Sequence, residues 1–96
     1  MAAIHAQTWA IRISRVDSGE AIDRLMDDWY DAVKADRGLH AAVGFDDHMK
    51  RRDWQSAKQS VERTYGRSSR EHQQTLDTLA AAVQWRRMLT YRGGSG

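Results

Sequence analysis

The sequence predicts an all-α domain, a small bundle of three or four helices in which only residues 8–16 stay open between helix and strand. Three observations predict it. Apolar residues recur at helical spacing through long stretches of the chain. Capping patterns stand in front of those stretches. There is no proline, so nothing of that kind breaks a helix, and punctuation falls to Gly19, Gly38, Gly44 and Gly66.

The first segment carries two periods at once. Trp9, Ile11 and Ile13 alternate with Ala10, Arg12 and Ser14, as in a strand, while Trp9, Ile13 and Val16 fit a helical stripe. The second segment is the clearest. Asp17 and Glu20 form a capping-box-like start, and Ile22, Leu25, Met26, Trp29 and Val33 then make one apolar face. This helix is expected over 18–36, with Gly38 as a left-handed stop.

Leu39, Val43 and Phe45 form an apolar connection expected to pack under the helices. Asp46 or Asp47 offers an N-cap for a third helix over 47–65, whose apolar positions are Trp54, Ala57, Val61 and Tyr65, with Met49 nearby. Gly66 ends it. Ser68 and Glu71 form a capping box before a fourth helix over 69–91. There Leu76, Leu79, Ala80 and Val83 make one stripe, and Trp85, Met88 and Leu89 continue it on a rotated face. A helix with two apolar faces touches its own core and a neighbour, which points to a homodimer. The expected core is Ile22, Leu25, Met26, Trp29, Val33, Val61, Leu76, Leu79 and Val83.

Ninety-six residues make one domain at most. Residues 1–92 are read as that domain, and Gly93-Gly94-Ser95-Gly96 as an expression linker. A chain this short buries roughly 60–65% of its unfolded surface, which leaves little room for a deep enclosed pocket. No cysteine is present, so disulfides and thiolate chemistry are excluded and a cytoplasmic setting is expected. The first nine residues lack the features of a secretory leader, and no apolar run reaches the roughly 18 residues of a membrane span.

Charge is distributed unevenly although the net is only +2. Between Asp17 and Asp36 seven acids face two bases; between Lys50 and Arg92 ten bases face four acids. Such asymmetry speaks to partners rather than to fold. The candidate basic interaction residues are Lys50, Arg51, Arg52, Trp54, Arg63, Arg67 and Arg70; Arg86 and Arg87 add a further pair late in the last helix. On the acidic side Asp23, Asp27 and Asp31 fall at i, i+4 and i+8, a stripe able to imitate a row of phosphates. Each set has a plain alternative: a solvated face, or pairing of the two sets with each other.

Catalytic patterns are not evident. His40 and His48 with Asp46 and Asp47 make the one cluster resembling a metal or acid–base site, but the spacing matches no tight ligand signature. Ser68, Ser69 and His72 lack a third orienting group, and His5 and His72 are expected at the surface. No phosphate loop or dinucleotide fingerprint is present. We therefore expect no catalytic or metal-binding residues, no cofactor and no small-molecule substrate. The leading expectation is a non-enzymatic protein that docks onto a protein partner or onto itself, as an accessory subunit, regulator or inhibitor of a larger assembly.

The alternative is a regulator that binds nucleic acid through the basic C-terminal half or through an N-terminal β-ribbon. With residues 8–14 as a strand, the strand and capped helix resemble the start of a ribbon-helix-helix repressor. That resemblance implies paired strands in the DNA major groove, with Ala10, Arg12 and Ser14 towards the bases. It covers about a quarter of the chain, and no family is assigned on it.

Overall fold

The computed structural model describes residues 6–67, 70 and 72–94, with side chains to Tyr91. It is all-α among the described residues. Six helices, rather than three or four, follow in order: α1 (Ala6–Arg15), α2 (Gly19–Val33), α3 (Arg37–Ala41), α4 (Phe45–Lys50), α5 (Trp54–Tyr65) and α6 (Gln73–Gly94).

The helical stripe wins in the first segment. Trp9 and Ile13 are buried and Val16 is half-buried, whereas Ile11, which a strand would have turned inward with them, is 46% exposed. A lone strand would leave its backbone groups without partners, while a helix satisfies them internally and docks its stripe against α6. The β-ribbon reading loses its strand, and with it the base-facing arrangement of Ala10, Arg12 and Ser14.

Helix α2 opens one residue later than Asp17 suggested. Ser18 is the N-cap, its hydroxyl accepting from the Ala21 amide at 3.1 Å, a contact of a kind worth about 1 kcal/mol. Ile22, Met26, Trp29 and Val33 are buried, and Leu25 is half-buried beside them. The helix stops at Val33, short of residue 36, because Asp36 serves as the cap of α3 and accepts from the Gly38 amide at 2.8 Å. Gly38 is thus not a left-handed stop. It lies inside α3, where a Cβ would stand 3.1 Å from Cε1 of His72, so glycine is there for close approach.

The connection behind α3 exchanges two expected roles. Val43 is 87% exposed, and Ala42 is buried in its stead. Gly44, at φ +84°, reverses the chain so that Phe45 enters the core at the head of α4. Neither Asp46 nor Asp47 caps this helix; both lie in its first turn.

The single helix expected over 47–65 is two helices. Arg52 sits at φ 58°, its amide donating to the Met49 carbonyl at 3.1 Å, and the Asp53 amide donates to the His48 carbonyl at 2.9 Å. These two bonds form a Schellman stop with arginine in the position glycine usually holds. Asp53 then caps α5, accepting from the Ser56 amide at 3.2 Å, and the bonds from Ser56 hold its carboxyl below the usual carboxylate range. Gly66, at φ +88°, ends α5 as expected.

The capping box of Ser68 and Glu71 lies outside the described residues. Helix α6 starts at Gln73 and runs through Gly94. It is the spine of the molecule, packed against α5, α1 and α2, while α4 packs on α5. Leu76 and Leu79 are buried and Val83 is half-buried. Phe45, Met49, Trp54 and Val61 complete the core from the other side.

Candidate interaction site

The two charged sets meet each other. Arg52, projecting from the left-handed turn before α5, pairs with Asp27 of α2 at 2.8 Å. Asp27 holds the Arg52 guanidinium protonated, raising it above its ordinary value, with Asp23 adding to the effect. Arg86 of α6 pairs with Asp23. Lys34 takes Asp31 at 3.0 Å. The acidic stripe expected to imitate phosphates is therefore matched, residue for residue, within the chain.

The basic set is divided. Arg51 pairs with Asp47 at 3.3 Å, and Arg67 reaches Glu62 at 3.9 Å. Lys50, Arg63 and Arg70 are exposed and enter no ion pair among the described residues. Trp54, an apolar position of its helix and also a candidate interaction residue, is 3% exposed and belongs to the core. Its ring lies under the Arg86 guanidinium at 5.2 Å, a cation–π contact that ties α5 to α6. The helical position of Trp54 put it on the core side of α5, and its arginine neighbours in sequence did not bring it to the surface.

The structure instead forms a groove that single-residue patterns did not indicate. It lies between the head of α5 and the last turns of α6 and has a volume of about 510 Å³. Trp54 and Val83 provide its apolar side; Arg52, Arg86 and Arg87 provide cations; Gln55, Thr90 and Tyr91 complete the wall. Two of the three arginines are engaged with Asp27 and Asp23, whereas Arg87 is exposed and pairs with no carboxylate among the described residues. Tyr91 is 85% exposed. The sequence signal was available in Arg86 and Arg87 late in the last helix, but it became a site only when the Arg52 turn folded against the same end.

The histidine cluster resolves differently. His40 Nδ1 lies 2.6 Å from Asp46 Oδ2, and His40 Nε2 faces the Lys34 carbonyl. Tyr30 donates its hydroxyl to the other Asp46 oxygen. Burial pushes the Tyr30 phenol up to about 12, helped by its bond to Asp46 and the charges of Asp46 and Asp31. Burial also works to raise Asp46, but the bonds from Tyr30 and His40 and the positive charges of His40 and Lys50 outweigh it, and the carboxyl is held below its usual value. This chain of bonds ties α2 to α3 and α4.

His48 does not join the Asp46 cluster; its ring lies against Gly44. No group of three or more candidate ligands occurs among the described residues. His72, expected at the surface, is 2% exposed and stacks on Tyr65 with ring centroids 4.1 Å apart. Tyr65 in turn donates its hydroxyl to the Gly38 carbonyl. Ser68, Ser69 and His5 lie outside the described residues.

No helix among the described residues is long and apolar enough to cross a membrane. Comparison with known proteins returns no match for the chain, whether to a protein-family model, a curated protein or a solved structure.

Proposed function

We propose that this chain is a non-enzymatic docking protein, an accessory subunit, regulator or inhibitor of a larger assembly, which takes an acidic segment of a protein partner into the α5–α6 groove. One observation carries the reading: Arg87 and Tyr91 stand open at the rim of a groove whose wall holds Trp54 and Val83. Arginine and aromatic side chains around an apolar pocket are the residues that dominate binding energy at protein interfaces. The partner chemistry that fits is an apolar anchor flanked by carboxylates. The proposal places this docking in the cytoplasm, in keeping with a chain that has no cysteine.

A second reading rests on the same rim. Three arginines beside an exposed tyrosine also suit a phosphate and a stacked base of single-stranded nucleic acid. Fluorescence anisotropy separates the two. The probes are a labelled Glu-rich peptide with one Leu or Phe anchor, random duplex DNA and single-stranded RNA, each titrated across roughly 50–200 mM salt. Docking predicts binding of the peptide that Thr90→Glu abolishes. Binding of nucleic acid that weakens steeply with salt, and is lost on charge reversal at Arg87, would put the second reading first. No peptide binding at the lowest salt, or binding indifferent to Thr90→Glu, sinks the docking proposal.

A further inference from the structure

Helix α6 has an outer side that no other element covers among the described residues. Asp77, Ala80, Gln84, Arg87 and Tyr91 are all exposed. They fall at i, i+3, i+7, i+10 and i+14, which is one stripe of a helix with 3.6 residues per turn. The stripe is bipolar. It carries one acid towards its N-terminal end and one base towards its C-terminal end, ten residues or about 15 Å apart. Neither charge is spent among the described residues: there Asp77 accepts from the Gln73 side-chain amide, at 2.8 Å, and Arg87 enters no ion pair.

A bipolar stripe of this kind is complementary to itself when reversed. In an antiparallel pair of α6 helices centred on the level of Ala82, Asp77 faces Arg87 of the second copy, and Arg87 faces its Asp77. The same register sets Ala80 against Gln84 of the second copy, twice, so a small residue lies wherever a longer one crosses the axis. That is the isologous condition for a two-fold dimer, in which residue i meets j and j meets i. Helices pack about 8–10 Å apart depending on the side chains at the contact, and Ala80 lets the two axes approach at the close end of that range. We infer that the chain self-associates through this stripe, as an antiparallel α6–α6 homodimer closed by two Asp77–Arg87 ion pairs.

Arg87 also borders the α5–α6 groove, so dimer and groove occupancy compete for it. Asp77 stands about one and a half helical turns before Val83, the nearest residue of α6 that lines the groove, and a test based on it leaves docking untouched.

The experiment is sedimentation equilibrium of the full chain over micromolar to millimolar concentration, with circular dichroism to verify folding. Asp77→Arg and Arg87→Asp are prepared separately; both sites are exposed, and neither is in the core. Each variant alone sets like charges opposite each other twice and is expected to weaken self-association roughly tenfold or more. Mixed in equal amounts, the two variants restore both ion pairs in a heterodimer, and association is expected to return to the wild-type level. No intramolecular role of either residue predicts that rescue. A wild-type chain that stays monomeric at the highest concentration, single variants that associate as tightly as wild type, or a mixture that fails to recover would each overturn the inference.

Discussion

The α2 side and the outer side of α6 both carry charge, and they use it in opposite ways. On the α2 side, Asp23 and Asp27 meet Arg86 and Arg52, which hold α2 against α6 and the turn before α5, and Asp31 meets Lys34 at the end of α2 itself. On the outer side of α6, Asp77 and Arg87 are exposed and find no opposite charge among the described residues. A charged run therefore says little about function until its partners are known. Paired surface charges contribute at most about 1 kcal/mol each and serve mainly to orient, whereas an unpaired arginine beside an open aromatic keeps its hydrogen-bonding capacity for something else.

The sharpest way to break this comparison is to exchange burial for exposure along the groove. Trp54→Ala is expected to destabilise the fold by about 3–5 kcal/mol, because it empties a core position and releases Arg86. Tyr91→Ala, on the same groove but 85% exposed, is expected to change stability by less than about 0.5 kcal/mol. Urea denaturation of both variants measures the contrast. Equal losses would mean that Tyr91 belongs to the core and that the groove is closed.

Glycine substitutions sharpen the same point at smaller cost. Gly38→Ala sets a methyl group 3.1 Å from the buried His72 ring. It is expected to lower stability by about 1–3 kcal/mol, since His72 is held between Gly38 and Tyr65.

The Tyr30–Asp46–His40 chain comes next, with an expected loss of about 1–2 kcal/mol for Tyr30→Phe. The sign with pH follows from the two shifts. Tyr30 is raised from 10.0 to about 12, so it is the neutral phenol that the fold favours. Its contribution is fully present below pH 10 and disappears as pH rises towards 12. Asp46 is lowered, so its contribution is present above the ordinary carboxylate value of 3.8 and is lost as pH falls through the lower folded value. Denaturation midpoints measured against pH should show both flanks in the wild type. Tyr30→Phe should remove the alkaline one.

One expected effect is a gain. A Cβ at Gly19 meets nothing within 4 Å, so Gly19→Ala in the first turn of α2 should stabilise the chain by about 0.4–1 kcal/mol through the unfolded state. Thermal melts of Gly19→Ala beside Gly38→Ala give opposite signs on this account.

The sequence by itself determined the helical class and the part of the core that α2 and α6 supply. Ile22, Met26, Trp29 and Val33 on α2, and Leu76 and Leu79 on α6, are readable because helical periodicity is a property of neighbouring residues and survives without knowledge of the partner. The same holds for the stop at Gly66, since a residue at φ +88° prefers glycine wherever it occurs.

What only the tertiary structure decided are matters of distance between segments. Residues 6–15 became a helix because α6 offered their stripe a surface and no strand was present to pair with them among the described residues. The chain breaks at Arg52, where no glycine announces a turn, because Asp27 and the buried Trp54 hold the residues around it. Which arginines are open was decidable only once α2, α5 and α6 had come together. A charge is spent or free according to what lies within a few ångströms of it in space, and nothing in the order of residues along a helix records that.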